Sequence, residues 1–236
     1  QYHIPTWYGT YDELLGDPSI DAVINALPNS MHCEWTIKAA EAGKHILCEK
    51  PAALNAGEVV EMFAACRANG VQYMDGTMWS HHPRTMQMKA VLDSGQLGPL
   101  RRITSAFTVN IPDTPEQIRF KPELGGGVLF DIGWYCVRAS LWAFGDLPER
   151  VFASGEYHRG VDVNVSALMW FSDQRVASFD CGFDMALRKW FEVAGIEGSL
   201  VCDDFLAPRD VEHPRFWTHG ANGESTTHEC EGVIQQ

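Results

Sequence analysis

The chain has no stretch approaching the ~20 consecutive apolar residues needed to cross a bilayer. Its opening, QYHIPTWYGT, lacks the basic start and apolar middle of a signal peptide. A cytoplasmic location is therefore expected, with no membrane partner. Basic residues are also scarce: 18 Lys and Arg stand against 31 Asp and Glu, a net charge of −13. A phosphate backbone needs a basic face, so nucleic acid is not an expected partner. The seven cysteines are odd in number and widely spaced, with no C-x-x-C. That argues against a disulfide framework and a zinc knuckle, and they read as reduced, mostly buried thiols. A G-x-G-x-x-G turn is also missing from the 236 residues. Such a turn lets a backbone approach a dinucleotide pyrophosphate.

What remains is an ordinary globular composition, 45% apolar, with alternating element types. The run IDAVINAL, residues 20–27, is short and continuously apolar and stops at Pro28-Asn29, as a strand buried on both faces does. A helix is predicted in MHCEWTIKAAEAGK, a second strand over 45–48, a helix from the Asn55 cap to about Asn69, and a third strand over 71–74. Two consecutive βαβ crossovers mean a parallel sheet, here strands 4, 5 and 6 of a doubly wound domain. Thr6–Tyr8 reads as a remnant of strand 3. With strands 1 and 2 missing, strand 4 should present an unpaired edge open to aggregation or dimerisation.

Beyond His82-Pro83 the pattern changes. A helix to about Ser94 leads to the alternating strand RRITSAFTV, then Gly125-Gly126-Gly127 opens an apolar helix. That glycine run follows the polar RFKPEL and no buried strand, so it reads as a tight turn, not a phosphate loop. Four strands follow near 150–157, 163–171, 175–183 and 189–195, closely spaced and so antiparallel. The fold class is α/β plus α+β: a partial Rossmann domain over 1–77, then an α+β domain over 78–236 with a large, mainly antiparallel sheet. The C-terminal histidines His213, His219 and His228 read as solvent residues.

The segments YGTYDELLGDPSIDAVINALPNSMH, GKHILCEKPAALNAGE and GGGVLFDIGWY, in this order and spacing, resemble the glucose–fructose oxidoreductase, inositol dehydrogenase and MocA family across nearly the whole chain. MDGTMWSHHPRT with DIGWYCVRA is most similar to its dihydrodiol and xylose dehydrogenase relatives. The resemblance implies an NAD or NADP cofactor, a small sugar or polyol substrate, and homo-oligomers formed through the C-terminal sheet. It also implies a nucleotide-binding start upstream of these strands and a last strand and helix beyond GVIQQ. On that expectation this piece alone is weak or inactive. The alternative is a non-catalytic sugar-binding or oligomer-forming module.

Lys50, at the end of a parallel strand, is placed to stabilise alkoxide charge, and the resemblance assigns it to the nicotinamide ribose and the reacting oxygen. Glu49 is assigned by the same route to ribose hydroxyls. Pro28, Asn29 and His32 share that rim, and Trp79 follows strand 6 near the nicotinamide. Asp131 and Tyr135 stand four apart, on one face of a helical start. Tyr135, where many relatives have His, can exchange the proton, and Asp131 either orients it or caps the helix. His82, Arg119 and Arg138 are candidate substrate contacts; each arginine suits an anionic group or open solvent. His81 and His82 are adjacent but lack a third ligand, so no metal is expected.

Overall fold

The computed structural model describes residues 4–230. It forms two compact units: the first runs to Thr77 and takes in Glu123–Gly125, and the second comprises Met78–Pro122 and the chain from Gly126 onward.

The first unit opens with α1 (Tyr11–Gly16), nucleated by a capping box in which the Thr10 hydroxyl accepts the Glu13 N–H and the Glu13 carboxylate accepts the Thr10 N–H. Strand β1 (Ala22–Asn25), helix α2 (His32–Glu41), strand β2 (His45–Cys48), helix α3 (Ala56–Ala68) and strand β3 (Tyr73–Asp75) follow. Asn55 caps α3 as expected, accepting the Glu58 N–H at 3.0 Å. The strands are parallel, in order β1-β2-β3, around a small core of Leu15, Ala39, Ala40, Ile46, Cys48 and Cys66. The strand expected at Thr6–Tyr8 is not there. Instead the Tyr8 hydroxyl donates to Asp17, and this bond, with those from Ser19, holds the Asp17 carboxyl down to about 2. Among the described residues β1 pairs with β2 alone, and Ile24 is 71% exposed. A groove of about 480 Å³ lies along this edge, lined by Tyr11, Leu14, Ile20, Ile24, Leu27 and Trp35 among others.

The second unit begins with α4 (Pro83–Asp93) and β4 (Leu100–Thr108), then a π-helical turn over Leu129–Gly133 that continues as α5 (Trp134–Phe144). Strands β5 (Arg150–His158), β6 (Val161–Trp170), β7 (Val176–Gly182) and β8 (Arg188–Gly195) fall close to the expected positions. Three more complete the sheet: β9 (Gly198–Cys202), β10 (Arg215–Gly220) and β11 (Ser225–Glu229). The strand order is β11-β10-β9-β8-β4-β7-β6-β5. The sheet is mixed, because β4 lies parallel to β7 while every other neighbour is antiparallel. The core lies where α5 packs on it, with Ile103, Cys136, Ala139, Phe179, Phe191 and Val193 all buried. His228 is not a loose solvent residue: its ring stacks on Phe216 at 4.6 Å and 6°, and Nε2 lies 2.9 Å from the Thr218 hydroxyl. The segment GVIQQ lies outside the described residues.

Arg84 on α4 is almost wholly buried and clamps the far end of the sheet. It donates to the Asp204 carboxylate at 2.5 Å, to the Asp204 carbonyl at 2.9 Å and to the Arg215 carbonyl at 3.2 Å. Deleting the carboxylate alone leaves a buried cation, a loss of about 3–5 kcal/mol.

All seven cysteines are unpaired, and all but Cys33 are buried. Burial pushes the Cys48 thiol up to about 11 and those of Cys136 and Cys202 up to about 12. The reactive thiolate is thus scarce at neutral pH. Native chain at pH 8 is expected to release fast colour from Ellman's reagent at Cys33 alone, the rest reacting after denaturation; several fast thiols contradict this burial.

Candidate active site

In the first unit the carboxyl ends of the three parallel strands form one rim. The Glu49 N–H donates to the Asn25 carbonyl at 2.9 Å and the Gly76 N–H to the Cys48 carbonyl at 2.7 Å, so Glu49, Lys50 and Gly76 leave the sheet side by side. A Cβ on Gly76 would stand 3.3 Å from the Cys48 carbonyl and from the Glu49 Cα, leaving bare backbone there. Lys50 is half-buried and Glu49 exposed, and the Lys50–Pro51 peptide is cis. His32 holds the rim together. Its ring is fully buried, with Nδ1 2.8 Å from the Pro51 carbonyl and Nε2 2.8 Å from the Leu27 carbonyl. With both nitrogens engaged, His32 is a support of the rim, which corrects its expected place against a nucleotide. The Asn29 amide donates to the Gly125 carbonyl at 2.8 Å, and Pro28 precedes the short 3-10 turn Asn29–Met31.

This donor set fits one end of a dinucleotide. A carboxylate for ribose hydroxyls, an ammonium and a strip of bare backbone suit the nicotinamide riboside. The 236 residues supply no glycine turn for the pyrophosphate.

In the second unit the glycine turn shows what its glycines are for. A Cβ on Gly126 would sit 2.5 Å from the Arg119 carbonyl oxygen and 2.9 Å from that of Lys121, and one on Gly127 would strike the Asp162 carboxylate. Gly127 also holds a φ of +122°, which side-chain-bearing residues rarely adopt. The freed backbone bonds back to the loop, Gly126 N–H to Lys121 and Gly127 N–H to Arg119, both at 3.0 Å. This close packing brings Arg119 against the helix start, where its Nε donates to Asp131 Oδ2 at 2.5 Å and its Nη1 to Gln117 Oε1 at 3.2 Å. Two residues read separately in the sequence thus form one ion pair. Asp131 does not cap α5; it lies inside the π turn, a rare element often found at functional sites. Tyr135 follows on α5, stacked on Trp134 at 4.6 Å and 18° and tilted against Phe107 at 5.8 Å. Arg138, one turn further, is exposed.

Trp79 is 3% exposed and packs edge-on against Trp142 and Phe205, which makes its ring chiefly a core element of the second unit. His82 caps α4: its Nδ1 accepts the Arg84 N–H at 3.1 Å. Sequence reasoning does not find Asp162, whose Oδ2 accepts the Leu129 N–H at 2.7 Å where the π turn begins. Thirty-odd residues separate the two, and no local pattern links them.

Burial, and then the Arg84 charge, lower the His82 pKa below its usual 6.5. The unfolded chain then holds more protons between the native value and about 6.5, so stability rises with pH through that window and is lost on acidification. His82→Asn keeps an oxygen acceptor for the cap. Urea unfolding at pH 7.5 and 5.5 is expected to show a smaller acid loss for this variant than for wild type; equal losses contradict the assignment.

Residues 1–77 match the model described as "Oxidoreductase family, NAD-binding Rossmann fold", and residues 85–201 match "GFO/IDH/MocA C-terminal domain". The chain is 37% identical over 84% of its length to D-xylose 1-dehydrogenase (NADP(+)) 2 of Haloferax volcanii, and spans 61% of that protein. It is 32% identical over 99% of its length to trans-1,2-dihydrobenzene-1,2-diol dehydrogenase of Xenopus tropicalis, spanning 74% of it. The 3-ketoreductase KijD10 of Actinomadura kijaniata, solved with NADP and TDP-benzene, superposes with a TM-score of 0.87 at 29% identity, covering 95% of this chain and 69% of its own. With a parallel Rossmann-like sheet followed by a large mixed sheet, and with both domain models matched in order, the chain belongs to the Gfo/Idh/MocA oxidoreductase family.

Proposed function

We propose that this chain serves an NAD(P)-dependent oxidoreductase that interconverts an alcohol and a carbonyl on a sugar, polyol or related small molecule. One observation carries the reading: Glu49 and Lys50 leave the central parallel strand at its carboxyl edge, where open α/β sheets take their ligands, in a chain matched by both domains of the family. The bound nicotinamide supplies or accepts the hydride. The chain's own part is the proton and the charge. Lys50 stabilises negative charge on the reacting oxygen, and Tyr135 gives or takes the proton. Asp131, fixed by Arg119, is an orienting charge and not a proton carrier. Arg119, Arg138 and His82 are proposed substrate contacts, and Glu49, Pro28 and Asn29 are proposed cofactor contacts, whereas Trp79, sealed in the second unit's core, is not.

The face of the large sheet turned away from α5 supports pairing with a second copy. Phe152, 62% exposed, and Trp190, 38% exposed, stand on it beside Ser154, Ser166, Ser178 and the Asp180–Arg188 ion pair. Seven unpaired cysteines support a reducing, cytoplasmic setting. Among the described residues no helix is long and apolar enough to cross a membrane.

Calorimetric titration of the 236-residue chain is expected to give NADPH and reduced nicotinamide mononucleotide affinities within about threefold of each other, since only the riboside end finds donors. Micromolar NADPH binding with a mononucleotide about a hundredfold weaker contradicts this. In a preparation that turns over an aldose such as D-xylose, Tyr135→Phe is expected to lower kcat about a hundredfold or more with KM little changed. A change in KM alone removes Tyr135 from proton transfer. Light scattering should show Phe152→Asp shifting the chain toward monomer; an unchanged mass puts the contact elsewhere.

A further inference from the structure

We infer that Asp162 is a positioning residue, and that the tip of the β5–β6 hairpin is the jig that registers Arg119 against Asp131. Asp162 is the second residue of β6, just past the turn Arg159-Gly160, whose φ values of 52° and 84° reverse the chain. One carboxylate oxygen takes the Leu129 N–H at 2.7 Å. That amide opens the π turn, where backbone donors have no acceptor inside the helix, and an anion there also complements the helix dipole. The other oxygen fills the space that a Gly127 side chain would need. The carboxylate thus fixes both the glycine turn and the first residue of the segment that carries Asp131.

The same tip also holds the opposite side of the pair. His158 Nε2 lies 2.8 Å from Asp113 Oδ2, the Arg159 guanidinium lies 3.2 Å from Asp113 Oδ1, and the Phe120 ring meets the His158 ring edge-on at 6.1 Å. Asp113 and Phe120 belong to the long loop after β4 that delivers Arg119. Loop and helix start are therefore both referenced to residues 158–162, and an ion pair closing at 2.5 Å has little tolerance for either one drifting. Nothing in the sequence pattern or the family match singles out Asp162, because its partner is a backbone amide 33 residues away. The inference rests on the proposal that the Arg119–Asp131 pair serves the substrate.

The Arg119 side-chain Nε–H, paired to a carboxylate, gives a protected signal in a nitrogen–proton correlation spectrum, assignable by its disappearance in Arg119→Lys. In Asp162→Ala this signal is expected to shift or be lost to exchange, and the affinity for D-xylose, read by saturation transfer, to fall about tenfold or more. Asp162→Asn keeps an oxygen acceptor and is expected to restore both. Should Asp162→Ala fail to fold, Gly127→Ala displaces the carboxylate without removing it. An unchanged Arg119 signal in either folded variant overturns the positioning role. A displaced signal with unchanged xylose binding upholds Asp162 as the residue that positions the pair and overturns instead the reading of the pair as a substrate contact.

Discussion

The absence of a Cβ at Gly126 and Gly127 is the constraint on which the second unit's site depends. Backbone oxygens of Arg119 and Lys121 occupy the space beside Gly126, and the Asp162 carboxylate occupies that beside Gly127. Only with both spaces open can the loop lie flat on the start of the helix. Once it does, the Arg119 guanidinium is within reach of Asp131, and the π turn has its first amide satisfied. The glycines contact no phosphate here. They let two polypeptide segments approach closely enough for a charged pair to close.

Charge in this chain is placed sparingly where it is buried. Arg84 is matched by Asp204 and two carbonyls, and Arg119 by Asp131 and Gln117. Neither cation is left alone, which is what the cost of burying an unpaired charge requires. The two pairs differ in exposure. Arg84 is sealed in the core and acts as a structural clamp, whereas the Arg119 side chain is 40% exposed and keeps guanidinium hydrogens available to a ligand. The rim of the first unit follows another rule: there the buried His32 ring, set between the Pro51 and Leu27 carbonyls, supports the backbone from which Glu49 and Lys50 extend.

Most of the strands legible in the sequence carry one buried face. The alternation in β4, β6, β7 and β8 follows from burial on one face. The continuous apolar run at β1 overstates its burial, since Ile24 is exposed at the sheet edge and only Asn25 of the strand is buried, and β5 is exposed along its length. The Asn55 cap and the glycines at 43 and 70 mark helix ends by their backbone chemistry. Strands β10 and β11 escape such a reading because their sequences are short and mix His and Thr, so pairing and a stacked His228 stabilise them more than an apolar stripe does. Strand β9 escapes it because its buried Leu200, Val201 and Cys202 are too few to show a period. The π turn has no periodicity signature distinct from a helix. Arg119 and Asp131 can be named one by one, but their pairing depends on glycines packing against a carbonyl. That is a tertiary fact, as is the reach of Asp162 to Leu129.

The steric claim can be isolated, because Gly126 has no left-handed φ, so an alanine there adds crowding without backbone strain. Gly16 is the control, since a Cβ added to it would meet nothing within 4 Å. The direct measurement is the urea unfolding free energy of Gly126→Ala beside Gly16→Ala. The expected result is a loss of about 1–3 kcal/mol for the first, from overpacking against the Arg119 carbonyl, and no loss for the second. A Gly126→Ala chain as stable as wild type would contradict the close approach on which the site is built.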